Sequence, residues 1–196
     1  MGLGDLFASN ALVQMLRGDS KRHDLSVTMT GVKLGERLLL VGCRDGSLLS
    51  ALGAKTGLSG LAVAVDRDAA LAQAAGRQAE RAGVLAETMP AQFPSLPLDA
   101  AAFDVAVVAD LDAVLTDATD NVLPDLLRVL REGGRVVVFV PLDRKGDVGT
   151  AEAEAHPLVA RARTRLATAG FRGARVLAAR DGLAYVEGAR PRQQPS

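Results

Sequence analysis

The chain alternates between short apolar runs and amphipathic stretches. Arg37–Val41, introduced by Gly35, reads Arg-Leu-Leu-Leu-Val, and Leu61–Val65 reads Leu-Ala-Val-Ala-Val. Such runs lack the polar alternation of a half-exposed strand. They predict strands buried on both faces, the mark of a parallel sheet covered by helices. Phe103–Val108 and Arg135–Val140 have the same character, while Leu85–Thr88 is a weaker candidate.

Between these runs the apolar spacing changes to that of a helix. Leu48–Thr56 follows the first strand directly. Asp68–Arg81 places Leu71, Ala74, Ala75 and Gln78 on one side and stops at Gly83, a residue type favoured just past a helix end. Asn121–Arg131 turns Leu123, Leu126, Leu127 and Leu130 inward before Gly133-Gly134, and Thr150–Ala169 predicts a further helix. Ahead of the first strand, residues 5–17 form an amphipathic pattern through Leu6, Leu12, Val13, Met15 and Leu16. Lys21–Leu34 is a polar connection with room for a short second helix, and this leading segment either lids the strand ends or only covers the sheet. Met89–Ala102 and Pro141–Gly149 read as loops.

Strands that alternate with helices imply right-handed β-α-β units and a doubly wound sheet. The ending breaks that rhythm. Arg175–Ala179 and Leu183–Glu187 have no helix between them, and the intervening Arg180-Asp181-Gly182 carries the Asp-Gly pair of a tight hairpin. The expected fold is therefore α/β: a doubly wound, mostly parallel seven-stranded sheet with a C-terminal antiparallel hairpin and helices on both faces. The expected organisation is one domain over 1–196. It has a helical leading segment at 1–33, a core at 34–188, and a Pro-, Arg- and Gln-rich tail from about 189 to 196 that frays.

Composition narrows the function. Lys plus Arg equals Asp plus Glu at 23 each, and there is no Trp and one Tyr. The chain thus offers neither the net field nor the stacking surface that nucleic-acid binding uses. One cysteine excludes an intramolecular disulfide. No apolar run approaches the roughly 20 residues of a membrane span, and residues 1–20 lack the pattern of a signal peptide. The expectation is a cytoplasmic protein with no membrane and no nucleic-acid partner. The sequence leaves oligomeric state open.

The chemistry gathers at Leu38-Leu39-Leu40-Val41-Gly42-Cys43-Arg44-Asp45-Gly46-Ser47. A buried strand runs into a glycine-bearing turn, and a helix leaves at once, so backbone N–H groups face whatever lies above the strand end. Asp66 closes the next strand, where an acid can grip a ribose. An adenosine-containing ligand is the expectation. A dinucleotide fingerprint would read G-x-G-x-x-G, whereas this turn offers Gly42-x-x-x-Gly46.

Over about residues 30–188 the chain resembles the class I S-adenosylmethionine-dependent methyltransferases. The resemblance rests on Val41–Gly46, on Val65-Asp66, and on the run from Gln92 through Leu96-Pro97 to Phe103-Asp104-Val105. It is most specific at Leu126-Leu127-Arg128-Val129-Leu130-Arg131-Glu132-Gly133-Gly134-Arg135-Val136-Val137, with Ala169-Gly170-Phe171 before the hairpin. It implies S-adenosylmethionine as cofactor and methyl transfer to a small-molecule acceptor. It places cofactor-binding roles on Gly42, Cys43, Arg44, Asp45, Gly46, Asp66, Arg67, Gln92, Phe93 and Ala109. Acceptor recognition would fall to Met1–Lys33, Asp110–Thr119 and Pro141–Gly149.

Three positions depart from the family pattern, the mildest being Gln92, which stands where Asp is common and whose amide oxygen can still accept from the adenine amino group. Leu40 stands where an acid is usual, and Arg44 where a second glycine is usual. Asp45 is near enough in sequence to supply the carboxylate and Arg44 to pair with the cofactor's own; alternatively Arg44 fills the pocket, and the protein is an inactive methyltransferase-like binding or assembly protein. Asp110 and Asp112 are the candidate catalytic residues, as base or amine ligand, with a solvated acidic loop as the bland alternative. His23 and His156 are weaker candidates, and no cluster has metal-ligand spacing.

Overall fold

The computed structural model describes residues 23–116, 121–143 and 146–192. The leading helix expected over 5–17 lies outside the described residues. Residues 23–30 are helical and are called α1 here. Then follow β1 (Arg37–Val41), α2 (Ser47–Thr56), β2 (Leu61–Asp66), α3 (Ala69–Arg81), β3 (Ala86–Pro90) and β4 (Phe103–Val108). The second half comprises α4 (Asp112–Leu115), α5 (Leu123–Val129), β5 (Leu130–Pro141), α6 (Thr150–Ala155), α7 (Pro157–Thr168), β6 (Arg172–Arg180) and β7 (Leu183–Ala189).

The seven strands lie in the order β3-β2-β1-β4-β5-β7-β6. The pairs β1–β2, β2–β3, β1–β4 and β4–β5 are parallel, and β7 runs antiparallel to both β5 and β6. Asp181 and Gly182 both have positive φ, 54° and 82°, as a tight hairpin turn between right-twisted strands requires.

Along β1 the side chains alternate between two cores. Leu38 and Leu40 pack with Leu48, Leu49 and Leu52 of α2 and with Ala72, Ala75 and Ala79 of α3. Leu39 and Val41 join Leu123 and Leu126 of α5 and Val159, Ala162 and Leu166 of α7 on the opposite face. Helices therefore cover both faces, which is why the strand reads apolar at every position past Arg37.

Four local expectations need correcting. The predicted inward face of α3 included Leu71, but that residue is 40% exposed and the buried stripe is Ala72, Ala75 and Ala79. The helix expected through Arg131 ends at Val129, because Leu130 already pairs with Phe103 as the start of β5. The helix expected over 150–169 is two helices broken at His156. Pro157 forces the residue before it out of helical geometry, and His156 sits at φ −66°, ψ 130°. The start of the expected frayed tail is also held in place, since Gly188 and Ala189 pair with Val136 and Arg135, and Arg190 exchanges backbone hydrogen bonds with Gly133 and Gly134.

Candidate functional site

The chain builds outward from β1 to β3 and then returns to add β4 on β1's other side. That reversal leaves a crevice above the C-terminal ends of β1 and β4, the usual ligand position in such sheets. The turn after β1 and the residues after β4 meet there. Ala109 N–H donates to the Val41 carbonyl at 2.8 Å, and Gly42 N–H donates to Val65 O at 2.9 Å. Gly42 has φ 91°, and a Cβ on it would stand 2.8 Å from both Asp110 Cβ and Asp110 N. Only glycine permits this approach. Gly46, at φ 78°, serves a different contact, because its Cβ would fall 2.6 Å from Ala75 Cα of α3.

Asp66 ends β2 beneath the turn. Its Oδ2 accepts Cys43 N–H at 2.7 Å, and its Oδ1 accepts Asp68 N–H at 2.9 Å. A carboxylate has about four acceptor positions, so two remain for a pair of hydroxyls. Burial first, and the Asp66 charge second, push the Cys43 thiol up to about 12.

Beyond Asp66, the Arg67 guanidinium lies 4.6 Å from the centroid of the Phe93 ring, and Phe93 is itself buried. Ala91 N–H ties this loop to Asp66 O at 2.9 Å, and Gln92 is exposed. The adenine loop expected from sequence thus lies next to the acid, with Phe93 in the core under Arg67.

On the other side of the turn opens a cavity of about 1100 Å³. Arg44, Asp45, Ala109, Asp110 and Asp112 line it, together with Phe139, Leu158, Arg161 and Tyr185. Asp110 Oδ1 accepts Asp112 N–H at 3.1 Å. The cavity brings Arg44 and Asp45 together with both candidate catalytic acids. The other candidates, Gly42, Cys43, Gly46, Asp66, Arg67, Gln92 and Phe93, are not among its lining residues. Leu40 is fully buried among the α2-side core residues and contributes nothing to the site. Arg44 is exposed, in left-handed geometry at φ 49°, the conformation a glycine would take without strain.

Sequence reasoning passed over several lining residues. Arg161 lies one helical turn before Arg165, whose guanidinium donates to the Leu115 and Thr116 carbonyls at 3.3 and 2.7 Å. Tyr185 packs edge-on to Phe139 with ring centroids 5.0 Å apart, and its hydroxyl meets Ser26 Oγ at 2.9 Å. Burial raises its pKa, the Ser26 bond works against that, and the Asp181 charge adds to it. Arg161 and Tyr185 join His23, a weaker candidate from the sequence, whose Nε2 stands 2.8 Å from Ser47 Oγ, which in turn donates to Asp45 Oδ1 at 2.6 Å. The Ser47 bond holds the Asp45 carboxyl below its ordinary value against the opposing effect of burial, helped by the Ser47 N–H and the charge of His23. These residues are far apart in sequence, so only the folded chain reveals the cluster. Among the described residues no group of His, Cys, Asp and Glu gathers to hold a metal ion, and no helix is long and apolar enough to cross a membrane.

Known proteins share this fold. The methyltransferase-domain family model matches residues 38–134, from β1 to the glycine pair in β5. A SAM-dependent methyltransferase from Aquifex aeolicus superposes with a TM-score of 0.70 at 21% identity, covering 85% of this chain and 88% of that one. A SAM-dependent O-methyltransferase from Thermotoga maritima gives 0.67 at 14% identity, over 90% of this chain and 67% of the other. The [4+2]-cyclase SpnF gives 0.66 at 18% identity, over 89% and 81%, so the same fold also carries a different chemistry. No curated protein matches the chain in sequence. The sheet order with its terminal hairpin is that of the class I methyltransferases, whose methyl donor and cofactor is S-adenosylmethionine, and residues 38–134 of this chain belong to the methyltransferase-domain family.

Proposed function

We propose that the protein transfers a methyl group from S-adenosylmethionine to a small-molecule acceptor held in the cavity above β4 and β5. The observation that carries this reading is the junction at Gly42, where a ribose-type acid and an acceptor-side acid are brought to one backbone turn beside a cavity of about 1100 Å³. Drug-sized ligands occupy pockets of roughly 300–1,000 Å³, so the space suits a donor's amino-acid end and an acceptor together.

The chain's residues fit the cofactor. Asp66 keeps two acceptor positions for ribose hydroxyls, and the Arg67–Phe93 loop offers the adenine side. Asp45 takes the ammonium role that Leu40 cannot fill, and Arg44, which has no hydrogen bond or ion pair among the described residues, faces the carboxylate. The cofactor supplies an activated methyl on a sulfonium, so the protein's task is alignment in a water-poor site. Asp110 and Asp112 stand where a hydroxyl or ammonium acceptor would shed a proton. The packing of Asp110 against the turn at Gly42 supports it, of the two, as the base.

The test is calorimetric titration with S-adenosylmethionine and S-adenosylhomocysteine, with Asp66→Ala as control, followed by an acceptor screen. Micromolar binding lost in Asp66→Ala, and turnover reduced about a hundredfold or more in Asp110→Asn, are the expected results. Binding without turnover on any acceptor would favour the second reading, an inactive binding protein. Leu40 and the left-handed Arg44 are the reasons to keep that reading in view. No binding at millimolar ligand removes the enzyme reading.

A further inference from the structure

We infer that His23 is a positioning residue for the donor: through Ser47 it sets the Asp45 carboxylate that takes the donor's ammonium. The inference rests on the proposed donor site and adds a residue that the glycine-turn motif does not contain.

The hydrogen-bond arithmetic assigns the direction. Asp45 Oδ1 accepts the Ser47 N–H at 3.1 Å and the Ser47 hydroxyl at 2.6 Å. A hydroxyl has one proton, and that proton goes to the carboxylate. The Ser47 oxygen is then left as acceptor, so His23 Nε2, at 2.8 Å, is the donor to it. The bond joins residues 24 apart in sequence, linking α1 to the first residue of α2, and all three side chains line the cavity. With Leu40 in the core, Asp45 is the carboxylate carried by the turn itself. It sits on a turn flanked by two left-handed residues, Arg44 and Gly46, so its orientation has to come from partners.

The helix that carries His23 is itself anchored. Ser26, one turn on, bonds Tyr185 of β7 at 2.9 Å inside the protein. At the helix end, Arg135 of β5 donates to Thr30 O at 2.9 Å and Gly31 O at 2.6 Å and pairs with Glu36. Three separate contacts, to α2, β7 and β5, thus fix where His23 stands. A side chain held this way can transmit a fixed geometry to Asp45.

The experiment compares S-adenosylhomocysteine affinity by calorimetry in wild type, His23→Ala, His23→Gln, Asp45→Asn and the double variant His23→Ala/Asp45→Asn, with unfolding temperatures measured alongside. His23→Ala should bind about tenfold more weakly, the size of one hydrogen bond to a charged group. His23→Gln, whose amide nitrogen can donate to Ser47, should stay within about twofold of wild type. The double variant should lose no more than Asp45→Asn alone, because the two act as one unit. A helix tie with no role at the donor would change the unfolding temperature of His23→Ala and leave affinity unmoved, which overturns the inference. So does a Gln variant as weak as the Ala variant, or additive losses in the double variant. Asp66→Ala separates the two levels: its loss of binding with His23→Ala unaffected sinks this inference alone. A wild type that binds nothing at millimolar ligand sinks the donor site and this inference with it.

Discussion

At the scale of single residues, the turn after β1 concentrates the constraints. Gly42→Ala adds a Cβ 2.8 Å from two atoms of Asp110 at a φ of 91°, so strain and displacement act together. The expected outcome is a loss of about 1–3 kcal/mol in denaturant unfolding together with weaker S-adenosylhomocysteine binding. Arg44→Gly acts in the opposite direction on stability. It replaces a left-handed arginine at φ 49° with the residue that adopts this region freely, and should raise the unfolding free energy by up to about 1 kcal/mol. If Arg44 meets the donor's carboxylate, the same variant binds S-adenosylhomocysteine less well even as it becomes more stable, a split that separates the residue's two roles. Cys43 offers an independent probe of the turn. With burial pushing its thiol up to about 12, the native protein should resist a thiol reagent at pH 8 and react at once in guanidinium. The glycines were legible in the sequence as turn residues; what they approach was not, because contact between Gly42 and Asp110 joins positions 68 apart that no local pattern links.

At the scale of elements, the boundaries follow from chemistry that a periodicity reading weighs too lightly. Proline at 157 decides the break between α6 and α7, and that signal was available in the sequence. The shift of α3's buried stripe from Leu71 to Ala72, Ala75 and Ala79 was not, because small alanines are chosen by the close approach of α2, α3 and the sheet. The junction between α1 and β5 shows how an element is held by charge. Burial alone would raise the Glu36 pKa, but the Arg135 hydrogen bond, the Lys33 N–H and the Arg135 charge outweigh it and hold the carboxyl below its ordinary value. A folded-state pKa that is depressed stabilises the protein above the unfolded value and loses that contribution as pH falls through the folded one. Wild type should therefore exceed Glu36→Gln in unfolding free energy at neutral pH. The gap should narrow as pH drops below about 4.5, which urea titrations at several pH values would reveal; a gap that is constant with pH would remove the ion pair from the account. Because Arg135 also holds the Thr30 and Gly31 carbonyls, the contact tethers the helix that carries His23.

At the scale of the whole molecule, the fold was readable because two-sided burial writes itself as uninterrupted apolar runs and the hairpin writes itself as Asp-Gly. The cavity was not readable, since its walls come from α1, the glycine turn with the start of α2, the segment after β4 with α4, β5, α7 and β7, and their meeting depends on the strand order. That same order divides the sheet into a rigid centre and looser edges. The residues of β4 are all buried, as are the last four of β1, whereas β3 has no buried residue and β6 has two. Native-state hydrogen exchange should therefore be slowest in β1 and β4 and fastest in β3 and β6. Addition of S-adenosylhomocysteine then discriminates between the readings of the crevice. A donor bound at the switch point should add protection at residues 43–47 and 109–112, next to the slow centre, and leave the amides of β6 unchanged, because β4, β5 and β7 lie between that edge and β1. Protection that spreads evenly over the sheet would mean that ligand only raises global stability by mass action. Protection confined to the β3 edge would place the ligand outside the crevice and separate adenosine binding from the cavity. The turn that joins the two halves of the sheet is thus where the structure, the chemistry and the measurement converge.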